Sequence, residues 1–83
     1  MITQRTMPLS AVPPGEPVTI VDLSRGSGFL ARLAALGFTP GAQVQVVRNA
    51  GRGPLIVSVL DTQVALGRGQ AAQILVRRGE VSR

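Results

Sequence analysis

The chain has 83 residues, room for one domain, and its 45% hydrophobic and 16% charged content supports a folded core over disorder. It contains neither Cys nor His, which excludes disulfides, thiolate or imidazole metal ligands, and catalysis through either side chain. Nine basic residues, all Arg, stand against Glu16, Asp22, Asp61 and Glu80, giving a net charge of +5.

Those four carboxylates are scattered, whereas a hard-cation site draws on several together. No catalytic residues, no cofactor and no metal site are therefore expected, and the chain does not read as an enzyme. A basic balance favours an acidic protein surface or nucleic acid as partner, and it also serves solubility. No apolar run approaches the roughly 20 residues of a membrane-spanning helix. Met1 to Ser10 lacks the apolar centre of a signal peptide, so a cytoplasmic protein is expected.

Residues 1–6 are polar and unpatterned and read as a tail. Met7 to Val12 reads as an extended lead-in whose Leu9 and Val12 can plug one end of a core. Pro13-Pro14-Gly15 is a turn. Glu16 to Leu23 is the first strand, rich in β-branched residues, although adjacent Ile20 and Val21 must face opposite sides. After a loop over Ser24 to Gly28 comes the only run that reads as a helix, through Leu36. Ser27 is its candidate N-cap, and Leu30, Leu33 and Ala34 form its apolar stripe. Gly37 supplies a left-handed stop, Phe38 follows where a Schellman ending packs a hydrophobe back onto Leu33, and Pro40-Gly41 turns the chain.

Gln43 to Arg48 alternates cleanly, with Val44 and Val46 inward. Asn49 to Pro54 is a loop. Leu55 to Leu60 alternates again, with Leu55, Val57 and Val59 inward and Ser58 outward. Asp61-Thr62 is the expected turn, though it lacks the Gly that a two-residue hairpin prefers. Gln63 to Leu66 places Val64 and Leu66 on one face. Gly67 to Ala72 is long enough for one tight helical turn. Ile74-Leu75-Val76 is the last strand, and a polar tail follows from Arg77.

Five short strands with one short helix after the first suggest a mainly all-β fold, a small SH3-like barrel, closed or nearly so. A five-stranded OB barrel is the rival, but its helix falls between the third and fourth strands, where this chain has only Asp61-Thr62. The domain is expected over residues 7–77, between tails at 1–6 and 78–83.

Leu9-Ser10 with Pro14-Gly15, then Arg32-Leu33-x-x-Leu36-Gly37-Phe38-x-Pro40-Gly41, resemble the ferrous iron transport protein A (FeoA) family. Gly53-Pro54-x-x-Val57, Val64-Ala65-Leu66 and Ala71-x-x-Ile74-x-Val76 follow in the order of that pattern, which spans roughly Met7 to Arg77. Phe38 departs from it, standing where the family more often has Leu. The resemblance implies an SH3-like fold and a small cytosolic accessory protein. Its partner would be a FeoB-type ferrous iron permease with a GTP-binding domain, so any membrane association would be indirect. Similar domains also end DtxR-type metal-dependent repressors, but this chain lacks their helix-turn-helix region.

Most residues of the pattern are explained by turns and core packing alone. Partner-binding candidates must come from what the core leaves over: Phe29, Arg32 and Leu36 on the helix, and Arg48 and Arg52 around the following loop. The alternative class is a small basic nucleic-acid-binding barrel. Gly41-Ala42-Gln43-Val44-Gln45-Val46-Val47 with Gly51 and Gly53 loosely resembles an RNA-binding KOW element. Only two aromatics for base stacking, and arginines spread from Arg5 to Arg83, weigh against it, so nucleic acid is not expected as the partner.

Overall fold

Short runs rich in β-branched residues build the framework of this chain, one antiparallel sheet of six strands. The computed structural model describes residues 6–23 and 27–78, with residues 27–30 described by backbone alone. Strand β1 (Thr6–Pro8) leads through a 3₁₀ turn (Leu9–Ala11) to β2 (Pro17–Leu23). Helix α1 (Ser27–Leu36) follows, then β3 (Gln43–Arg48), β4 (Leu55–Val59), β5 (Thr62–Leu66), the single turn α2 (Arg68–Ala71) and β6 (Ile74–Arg78). The strand order is β1-β6-β2-β3-β4-β5, antiparallel throughout, so the sheet is mostly β as expected but its ends β1 and β5 are not hydrogen-bonded to each other.

The core follows the period-2 pattern of the strands. Val44 and Val46 of β3 and Leu55, Val57 and Val59 of β4 are buried, and β5 sets Val64 opposite Val57 and Leu66 opposite Leu55. Leu9 and Val12 are fully buried, completing the core from the N-terminal side as their spacing suggested. Helix α1 contributes Leu33, and Phe38 is the largest fully buried side chain among the described residues. The helix ends in a Schellman motif: the Phe38 amide donates to the Leu33 carbonyl at 2.9 Å and the Gly37 amide to that of Ala34 at 3.1 Å. Gly37 adopts φ +103°, the region where a residue without Cβ is at least cost. The helix starts earlier than read: Ser27 and Gly28, expected in the loop, already belong to α1, so Ser27 is its first helical residue and not the cap before it. Leu30's place in the apolar stripe concerns a side chain outside the described residues.

Four further features differ from the sequence reading, each for a physical reason. The lead-in begins with a sixth strand, because Thr6, Met7 and Pro8 pair with Arg77, Val76 and Leu75. The last strand correspondingly runs on to Arg78, whose Nε lies 2.7 Å from Glu16 Oε2. The adjacent apolar pair Ile20 and Val21 is resolved by a β-bulge: Ile20 sits opposite Val76 but Asp22 opposite Leu75, leaving Val21 as the extra residue. The β4–β5 turn falls on Leu60-Asp61, one residue earlier than Asp61-Thr62, with φ of +50° and +64°. That register aligns Leu55 with Leu66, whereas a turn at Asp61-Thr62 would carry Leu55 past Leu66 to face Arg68.

Candidate functional site

Two surfaces collect the side chains that the core leaves over. The first lies at the C-terminal end of α1. Arg32 and Leu36 are four residues apart on one helical face, both exposed, Leu36 at 42%. Beside Leu36, the β4–β5 turn brings Leu60 against the helix stop, so close that a Cβ at Gly37 would lie 2.7 Å from Leu60 Cδ1. Leu60 is 77% exposed and in a left-handed conformation, unusual for a large apolar residue. Also at the helix end, Leu23, Ala34, Phe38, Thr39, Pro40 and Asp22 line a shallow, largely apolar cleft of about 310 Å³.

The second surface is the β3–β4 loop. A bulge at Val47 sets Val46 opposite Val57 and Arg48 opposite Ile56, so Arg48 stands beside Ile56 and not across from the buried Leu55. Gly51 and Gly53, with φ of +94° and +78°, curl the loop back, and Arg48, Ala50, Arg52, Pro54 and Ile56 line a cleft of about 300 Å³. Asn49 pins the base of this loop. Its Nδ2 donates to the carbonyls of Ser10 and Val12, both at 3.0 Å, and its Oδ1 accepts from the Gly51 amide at 3.2 Å and from Arg68 Nη2. Arg68 Nη1 also donates to the Ser10 carbonyl at 3.2 Å, while its Nε is buried without a partner among the described residues.

The five sequence candidates thus divide. Arg48 and Arg52 share one cleft, Arg32 and Leu36 share one helical face, and no described cleft takes residues from both pairs. The Phe29 side chain lies outside the described residues. Two contributors escaped the sequence reading. Leu60 reads as a strand residue by its alternation, although the missing Gly after it already marks the turn as irregular. Arg68 lies inside a break between strands, and nothing local signals its pairing with Asn49, 19 residues away.

Among the described residues no three His, Cys, Asp or Glu side chains gather as metal ligands. No described helix is long and apolar enough to cross a membrane. An antiparallel sheet of six short strands round a small apolar core, with one short helix after β2, is the architecture of a small SH3-like domain. The FeoA domain family matches residues 7–78, and the chain belongs to that family. An Fe(2+) transport protein A of Methanocaldococcus jannaschii is 36% identical over 73 residues, 88% of each chain. An iron uptake regulatory protein, FeoA, of known structure superposes with TM-score 0.83 at 35% identity, covering 89% of this chain and 99% of its own. FeoA of Stenotrophomonas maltophilia, solved with zinc, is described as a prokaryotic SH3 domain protein and a candidate activating factor of ferrous iron transport. It superposes with TM-score 0.72 at 32% identity, covering 84% of this chain and 88% of its own. The family is one of ferrous iron transport proteins, as the sequence pattern implied.

Proposed function

We propose that this chain is a cytoplasmic accessory factor of ferrous iron uptake that acts by docking on a FeoB-type membrane permease, with no catalytic step of its own. The observation that carries the reading is the membership of a ferrous iron transport family together with two exposed leucines, Leu36 and Leu60, beside one helix end. Exposed apolar side chains next to charge are what a protein partner covers. Arg32, one turn before Leu36, supplies the charged flank, and apolar and Arg side chains carry most of the energy in such contacts. A single patch on so small a domain buries little area, so the affinity is modest and the association reversible.

The test is capture of the permease by the tagged protein, repeated with Leu36→Ala, Leu60→Ala and Arg32→Glu after each variant is shown to fold. Loss of capture in the leucine variants supports the reading. A wild-type protein that leaves the permease uncaptured yet binds RNA in a salt-dependent manner overturns it in favour of the nucleic-acid alternative.

A further inference from the structure

We propose that the cleft under the β3–β4 loop is an anion site for a phosphoryl group carried by a small organic ester or a lipid headgroup. This goes beyond the permease reading and does not depend on it. The cleft of about 300 Å³ is lined by Arg48 and Arg52 together with Ala50, Pro54 and Ile56. Two guanidiniums beside an apolar wall suit a ligand with a charged head and a carbon body. Guanidinium is the side-chain group best matched to phosphate, since its planar fork donates two parallel bonds to two oxygens.

Three further observations support the assignment. First, neither the Arg48 nor the Arg52 side chain has an ion pair or a hydrogen bond among the described residues, where the single salt bridge joins Arg78 to Glu16. Both therefore keep their donors for a ligand. Second, no carboxylate competes nearby in sequence: residues 23–60 contain no Asp or Glu. Third, the loop is held ready. Asn49 ties its base to Ser10 and Val12, accepts the Gly51 amide, and the bulge at Val47 turns Arg48 to the outer face beside Ile56. Fixing the loop in advance lowers the ordering cost of binding. Behind it, the half-buried Arg68 adds a third positive charge whose polar partners are a carbonyl and an amide oxygen, not a carboxylate. That charge is uncompensated locally and raises the potential at the loop.

The experiment is a titration of the isotopically labelled protein followed by amide NMR, with glycerol 3-phosphate as the soluble probe and sodium chloride at matched ionic strength as control. A parallel arm measures co-sedimentation with phosphatidylglycerol/phosphatidylcholine vesicles against phosphatidylcholine alone. Expected are saturable shifts confined to residues 48–56, or selective sedimentation with the anionic vesicles, weakened about tenfold or more in Arg48→Gln and Arg52→Gln and unchanged in Arg32→Gln. Response to the ester identifies a soluble phosphate as ligand, and response to the vesicles alone identifies a headgroup. Either supports the site. No response to either probe, shifts spread over the whole surface or matched by chloride, or binding that survives both Arg variants overturns it. If an Arg variant fails to fold, the wild-type shift map still decides.

Discussion

Leu60 lies on Gly37 so closely that a methyl group added at the glycine would meet Leu60 Cδ1 at 2.7 Å and Val59 Cγ2 at 3.2 Å. Two turns therefore constrain each other: the helix stop needs φ +103° at Gly37, and the hairpin turn holds Leu60 against it. Leu60 is flexible and mostly exposed, so it can swing aside, and the backbone strain is the cost that cannot be avoided. Gly37→Ala is expected to destabilise the fold by about 1–2 kcal/mol. Leu60→Ala in the same chain should add less than it does alone, because it removes the side chain that the new methyl would displace. Denaturant unfolding of the two single variants and the double variant measures this. Strict additivity would show that the two residues do not interact.

The β4–β5 turn itself stores strain. Leu60 and Asp61 both have positive φ, the requirement of a type I′ turn, whose favoured residues are Asn-Gly. Asp61→Gly removes the steric cost at φ +64° and is expected to raise stability by about 0.5–1 kcal/mol. A lower denaturation midpoint in Asp61→Gly would contradict the turn assignment.

Asn49 is the hub that joins the N-terminal 3₁₀ turn, the β3–β4 loop and α2. Asn49→Ala deletes two donated and two accepted hydrogen bonds and leaves the half-buried Arg68 with the Ser10 carbonyl alone. The expected cost is about 1–3 kcal/mol, from polar groups left without partners. Amide exchange should quicken at Gly51 more than in β4, since the loop loses its anchor while the strand pairing remains. Equal quickening everywhere would mean global destabilisation only.

What the sequence made legible, and what it hid, follows from the range of the interactions. The Schellman stop at Gly37-Phe38, the inward faces of β3 and β4 and the plug residues Leu9 and Val12 rest on local patterns, and the structure places them as read. Strand β1 is only three residues long and exists through β6, nearly seventy positions on, so no local pattern announces it. The hairpin turn lies one residue earlier than its sequence suggests because Leu60-Asp61 lacks the glycine that marks such turns; aligning Leu55 with Leu66 outweighs the strain there. The bulges at Val21 and Val47 shift a single residue each, and the flanking patterns only hint at them. Of the candidate site, Arg32, Leu36, Arg48 and Arg52 are exposed, as residues surplus to the core should be. Leu60 and Arg68 were hidden because one depends on the turn's register and the other on a long-range partner.

Separating the two surfaces is the most informative functional prediction. Leu36 and Leu60 flank Gly37, while Arg48 and Arg52 line a cleft that shares no residue with the helix end. Both leucines are exposed, so Leu36→Ala and Leu60→Ala should each change stability by well under the cost of a core truncation, which is about 2–5 kcal/mol. If the helix end is the docking surface, each should nevertheless weaken permease capture by about tenfold or more, the effect of losing one well-packed interface side chain. Arg48→Gln and Arg52→Gln should leave capture within about twofold at moderate salt, since an exposed charge outside the contact acts only through screened attraction. Quantitative pull-down with folded variants at two salt concentrations reads all four. Should capture depend on Arg48 and Arg52 and not on the leucines, the permease contact belongs to the β3–β4 loop, and the exposed leucines at the helix end are free of that partner.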